Sequence, residues 1–317
     1  MNALPIKTLF SSTLATLALS LSACSYATNP TAAQNVTPSG FITDANISEA
    51  SGLAMSQREK NVLWALNDSG NKPQLFALNE QGEHLGTLNV KGVPNQDWED
   101  LASFIYQGQP YLLIADVGDN SAKRQKNALH FIAEPKLKKL SAKKPISVKP
   151  DWTIEFTYQD GPRDCESVAL DLPNQKILLL SKRDKPPALY ELPLQKNQSK
   201  KVLIARKLGE ITPLPEPEIQ DIRSVTNLLY ARQPTAMDIS PDGSSLIVLT
   251  YINAYLYQKS LNASWSSVLK KTPREIALPY LRQAESVCFD ASGKTIHVTS
   301  EGSPAPLFKI DLKEAHP

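Results

Sequence analysis

Five short segments begin with an oxygen-bearing side chain and run on into apolar residues. They are Ser51-Gly52-Leu53-Ala54, Glu99-Asp100-Leu101-Ala102, Glu166-Ser167-Val168-Ala169, Thr235-Ala236-Met237-Asp238-Ile239 and Glu285-Ser286-Val287-Cys288. Two residues before each head stand Glu49, Asp97, Asp164, Gln233 and Gln283. Residues two apart on an extended strand point to the same side. If the five segments are equivalent strands around one axis, the ten side chains stack as two rings containing six carboxylates. Carboxylates held that close repel one another, and without compensation several must keep their protons. A hard cation removes the conflict. An all-oxygen donor set without His or Cys suits Ca²⁺, or Mg²⁺ with waters completing the shell, rather than zinc or copper. Any one of these acids is an ordinary loop carboxylate; their recurrence at one register makes the set a candidate metal centre.

The surrounding pattern predicts the elements that hold these residues. Each segment heads a repeat of short apolar runs separated by turns, clearest in the fourth: Thr235–Ile239, Ser240-Pro241-Asp242-Gly243, Leu246–Leu249, Tyr255–Tyr257 and Glu275–Leu278. Pro-Asp-Gly between apolar runs is a hairpin signal, since Pro fixes φ and Gly accepts positive φ. The fifth repeat ends one strand short, and Gly40-Phe41-Ile42-Thr43 can supply the missing strand from the N-terminal side. Heads spaced by 48, 67, 69 and 50 residues fit blades of four strands, two of them carrying long loops. Those loops are the Lys-rich 135–150 segment and the Pro-rich 213–217 stretch. The expected fold is all-β, a β-propeller of five four-stranded blades, with six or seven blades as the alternative. The expected organisation is a signal peptide over 1–23, a tether over 24–38 and the propeller over 39–317.

In such a ring the loop entering the innermost strand and the loop leaving the second strand share a face. The second strands therefore deliver Asp68, Asp116, Asp119, Lys182, Arg183, Tyr251 and Glu301 to the mouth, with Ser69, Lys123 and Arg124 nearby. Acids and bases mixed around a cation could hold an anionic ligand, and phosphoester hydrolysis would use that layout. A polar network bracing the ring is the plainer role. Other chemistries find no support: the four histidines fall in no metal or catalytic spacing, and no nucleophile elbow, phosphate loop or Cys-x-x-Cys pair occurs. Trp64 and Trp98 are expected to be packed rather than exposed.

Composition narrows the partners. A net charge of +2 does not suggest a nucleic-acid binder. Lys136, Lys138, Lys139, Lys143, Lys144 and Lys149 form a local basic excess, read as a solvated loop before a lipid- or polyanion-contacting patch. Cys165 and Cys288 belong to repeats that are not neighbours in a five-membered ring, so they are expected to stay unbridged. A monomer is expected.

The N-terminus has Lys7 before an apolar run from Leu9 to Leu21, too short for a permanent span. It closes in Leu21-Ser22-Ala23-Cys24-Ser25, which resembles a bacterial lipoprotein signal. That resemblance implies cleavage before Cys24, lipidation of its thiol and sorting to the outer membrane, facing the periplasm. The heads Ser51, Glu99, Glu166, Thr235 and Glu285 are similar to the central calcium site of the five-bladed calcium-activated apyrases. The run Asn67-Asp68-Ser69-Gly70, Asp97-Trp98-Glu99-Asp100-Leu101-Ala102, Asp116-Val117-Gly118-Asp119-Asn120, Asp160-Gly161 and Ser300-Glu301-Gly302 resembles a widespread family of secreted bacterial propellers. That second likeness implies the fold and not a reaction. Together these readings lead to a membrane-anchored propeller with a central Ca²⁺ (or Mg²⁺) that binds a small molecule, glycan or envelope protein. The alternative is a Ca²⁺-dependent hydrolase of phosphoesters or nucleotides.

Overall fold

The computed structural model describes residues 35–196, 201–218, 222 and 229–313. The signal, Cys24 and most of the tether lie outside the described residues. Of the expected tether, residues 36–38 are already strand, so the propeller begins earlier than residue 39: β1 spans Val36–Ile42.

Among the described residues, twenty strands follow the expected repeat. The first blade holds β2 (Ala50–Met55), β3 (Val62–Asn67), β4 (Gln74–Asn79) and β5 (His84–Val90), and the second β6 (Trp98–Tyr106), β7 (Gln109–Asp116), β8 (Asn127–Ala133) and β10 (Trp152–Tyr158). The third holds β11 (Cys165–Asp171), β12 (Lys176–Ser181), β13 (Ala188–Pro193) and β14 (Leu203–Glu210). In the fourth are β15 (Pro234–Ile239), β16 (Ser245–Thr250), β17 (Asn253–Gln258) and β18 (Arg274–Ala277). The fifth has β19 (Ala284–Phe289), β20 (Thr295–Ser300) and β21 (Ala305–Asp311), completed by β1. β1 runs antiparallel to β21, from Val36 opposite Ile310 to Ile42 opposite Ala305. The last blade is thus closed by a strand from the other end of the chain, which leaves no blade a strand short.

Why the blades form a ring follows from strand alternation. Along β12, Ile177 and Leu179 enter one apolar cluster with Phe131, Ile154 and Phe156 of the second blade. Leu178 and Leu180, one residue out of phase, enter another with Met237, Leu246 and Val248 of the fourth. Such strands are apolar on both faces because each blade is sandwiched between two others. Three further clusters join the fourth blade to the fifth, the fifth to the first and the first to the second. Five apolar seams join five blades, and the inner strands β2, β6, β11, β15 and β19 contact one another in a closed cycle. Cys165 and Cys288, both free and buried, lie in different seams.

Two connections depart from a plain loop. The Lys-rich segment carries a 3-10 turn at Leu137–Lys139 and a strand, β9 (Ile146–Val148), that pairs parallel with β5 on the outer edge of the first blade. Leu137, Leu140, Ile146 and Val148 pack on the seam between the first two blades, while all six lysines are exposed. β10 also pairs parallel with β14, which joins the outer edges of the second and third blades. No described helix is long and apolar enough to cross a membrane.

Candidate metal centre

The ring heads share a local feature that alternation alone does not foresee. In every blade the inner strand shifts register against its neighbour at the head residue: between Ala50 and Gly52, Trp98 and Asp100, Cys165 and Ser167, Pro234 and Ala236, and Ala284 and Ser286. Ser51, Glu99, Glu166, Thr235 and Glu285 are therefore the skipped residues. A bulge of this kind frees a side chain from the ladder and re-aims it.

The five heads then take different partners. The Ser51 hydroxyl donates to the carbonyl of Trp98 at 2.9 Å, and the Thr235 hydroxyl to that of Ala284 at 2.8 Å. These two hold adjacent inner strands together. Glu99 and Glu166 converge with residues of the second ring: Asp68, Asp97 and Glu99 bring ligand oxygens within 4.8 Å of one another, and so do Glu99, Asp164 and Glu166. Glu285 joins neither group; it is hydrogen-bonded to Glu301 and Tyr251. The cation-ready part of the ring is thus off-axis, between the first three blades, rather than spread over all five heads.

Outside these groups, Glu49 is exposed and accepts from Asn71 at 2.5 Å. The side-chain oxygen of Gln233 is buried without a protein partner, and the Gln283 carbonyl accepts from the Glu301 N–H at 3.0 Å. Asp116 and Asp119 turn away from the cation groups to brace them. Asp116 pairs with Arg124 at 2.8 Å and accepts from the Asp97 N–H at 3.2 Å; Asp119 accepts from the Arg124 N–H at 2.6 Å, and its own N–H donates to Asp164 at 2.9 Å. Arg183 donates through Nε to Asp164 at 2.6 Å with its side chain 40% exposed. Lys182 is buried, and its ammonium donates to Glu166 and, at 3.1 Å, to the Tyr251 hydroxyl. It serves the acids from inside rather than a ligand from outside. Trp64 and Trp98 are packed, donating to Glu134 and to the Pro94 carbonyl.

Electrostatics mark the site as short of positive charge. Burial, then the charge of Glu166, pushes Glu99 well above the ordinary carboxylate range. Burial also raises Glu166, although Lys182 pulls the other way. Asp97 is lifted to about 6 by burial and by Asp68, and Glu285 to about 8 by burial and by Glu301. Asp116 goes the other way: burial would raise it, but His130 and Arg124 together hold it below the usual value.

The donor set fits a hard cation. All its groups are carboxylates, with no His nitrogen or Cys sulfur among them, which is the Ca²⁺ or Mg²⁺ pattern. Gly118 fits the same reading: a Cβ there would stand 2.2 Å from Glu99 Oε1 and 2.6 Å from Asp97 Oδ2. The main chain after β7 lies directly against the carboxylates, and a larger residue there would make them shift. The sequence signal for this position was the glycine within Asp116-Val117-Gly118-Asp119. The place of Asp68 in a cation group had no such signal beyond its position at the end of β3.

The sequence matches no protein-family model and no curated protein. Among solved structures, a gluconolactonase from Xanthomonas campestris superposes over 90% of this chain and 94% of its own, at 11% identity and a TM-score of 0.46.

Proposed function

We propose that this chain is an outer-membrane-anchored, periplasm-facing β-propeller lipoprotein whose mouth holds one divalent cation, Ca²⁺ or alternatively Mg²⁺, and which acts as a binding module. The observation that carries the cation is the convergence of Asp68, Asp97, Glu99, Asp164 and Glu166 into two groups sharing Glu99. Glu99, Asp164 and Glu166 are buried and Asp68 and Asp97 half-buried beside them, so a bound cation would replace protons that the site otherwise keeps. The ligand would be a small molecule, glycan or envelope protein meeting the exposed rim around Arg183. Titration of the chelator-treated protein with Ca²⁺ and Mg²⁺ by calorimetry tests the site: saturable binding that Glu99→Gln removes supports it, and no uptake of either ion refutes it.

A hydrolase of phosphoesters or nucleotides is the second reading, favoured by one feature: Arg183 presents an exposed guanidinium on Asp164, beside the cation groups. There it could meet the anionic part of a substrate whose phosphate the cation polarises. Turnover of a phosphoester and nucleotide panel with and without Ca²⁺ separates the readings. Anchoring is tested by Cys24→Ala, which should release the protein from the membrane fraction or leave its precursor uncut.

A further inference from the structure

Resting on the cation reading above, we propose that Lys182 is the positioning residue of the mouth: its ammonium is a built-in cation that fills the Glu166–Glu285 half of the ring and confines the divalent ion to the Asp97–Glu99 half. Nζ of Lys182 donates to Glu166 and to the Tyr251 hydroxyl, which in turn is hydrogen-bonded to Glu285. Glu285 is bonded to Glu301, so two carboxylates, Glu166 and Glu285, border this one ammonium and a third stands behind Glu285. The side chain is 7% exposed, and its root is fixed by a backbone N–H to the Asp164 carbonyl at 3.1 Å. A charge tethered in this way competes at high effective concentration, and a free ion does not displace it.

Glu166 is the shared wall. It accepts from Lys182 and also belongs to the group with Glu99 and Asp164. On the other side of that wall lie Asp68, Asp97 and Glu99, which receive no ammonium or guanidinium hydrogen bond from a described residue. The ring is therefore divided between a lysine-served half and a half that needs an ion from solution. Removing the lysine charge leaves Glu166 and Glu285 without their counter-charge, beside Glu301, in a buried place where an uncompensated carboxylate is costly. A second Ca²⁺ should enter there.

The full mature protein, freed of metal by chelation, is titrated with Ca²⁺ by calorimetry and its bound metal counted. Lys182→Met should take up about one Ca²⁺ per chain more than the wild type, whereas Lys182→Arg, which keeps the charge, should match the wild type. Equal uptake by wild type and Lys182→Met overturns the proposal. The wild-type count reports separately on the metal site itself: a wild type that binds none sinks the cation reading. A Lys182→Met protein that then gains about one Ca²⁺ still supports the role of the lysine.

A second pair of variants leaves Lys182 in place and guards against a misfolded mutant. Glu285→Gln should keep Ca²⁺ affinity within about threefold of wild type, while Glu99→Gln should lose more than about tenfold. Comparable losses in the two would show that the ion and the lysine do not divide the ring.

Discussion

Glu99 and Asp100 are neighbours on β6, both buried, and the ring treats them in opposite ways. Glu99 faces Glu166, Asp68 and Asp97 and is left competing with them. Asp100 receives the N–H groups of Leu101 at 2.8 Å, of Val168 at 2.7 Å and of Met237 at 3.3 Å. Those donors come from three inner strands, so one carboxylate ties together the second, third and fourth blades. Asp238 does the same further round, accepting from Ile239 and Phe289, each at 2.8 Å. A buried carboxylate supplied with backbone donors is a structural tie, whereas one supplied mainly with other carboxylates is a place for a cation. Depth of burial does not separate the two; the partners do.

The sharpest way to break this comparison is Asp100→Ala. It strands amide N–H groups on three strands, and each buried unpaired donor costs about 1–3 kcal/mol. A loss of roughly 3 kcal/mol or more in urea unfolding is expected. A neutral result would mean the inner strands are held by the seams alone.

Gly118→Ala comes next. Its Cβ would overlap Glu99 and Asp97, so either the carboxylates or the loop must shift, at a cost of about 1–3 kcal/mol. Ca²⁺ binding should fall with it, read by the same titration. Retained binding would place the ion away from these two oxygens.

Glu99→Gln should behave in the opposite sense to Asp100→Ala. Without metal Gln stands in for a carboxyl that burial and its neighbours already hold protonated, so the melting temperature should hold or rise. With Ca²⁺ present it should lose the increment the wild type gains from binding. A large drop in the metal-free protein would put Glu99 with the structural ties instead.

The pH dependence follows from Asp97 at about 6, Asp238 at about 7 and Glu285 at about 8, all raised by burial. Between pH 4 and 8 the folded chain keeps protons that the unfolded chain releases. Stability contributed by these groups therefore falls as pH rises through that window. In chelator the protein should melt higher near pH 5 than near pH 8, and Ca²⁺ should flatten the decline, because it replaces the protons. A chelated protein more stable at pH 8 than at pH 5 would contradict the raised carboxylates.

Ser51→Ala is the smallest test. It removes one hydrogen bond to the Trp98 carbonyl, worth about 1 kcal/mol, and should leave Ca²⁺ affinity unchanged. A drop in affinity would return Ser51 to the set of ligands.

The amino-acid sequence by itself determined the repeat. Apolar runs of strand length, hairpin turns such as Pro241-Asp242-Gly243 and an unfinished last repeat specify four-stranded blades and a closing strand from the N-terminal side. These are local signals, set by period-two alternation and turn chemistry within a few residues. The heads of the inner strands were legible for the same reason, since they recur at one register. What each head does was decided by ring closure. Ser51 and Thr235 meet a neighbouring carbonyl, Glu285 meets Glu301 and Tyr251, and Glu99 and Glu166 meet acids from other strands. Lys182 follows β12 yet ends among acids of the third and fifth blades. Glu134, beyond β8, receives the indole N–H of Trp64 from 70 positions earlier. Such pairings depend on how bulges turn side chains and on the angle between blades, quantities that belong to the packed seams and are not written in any single repeat.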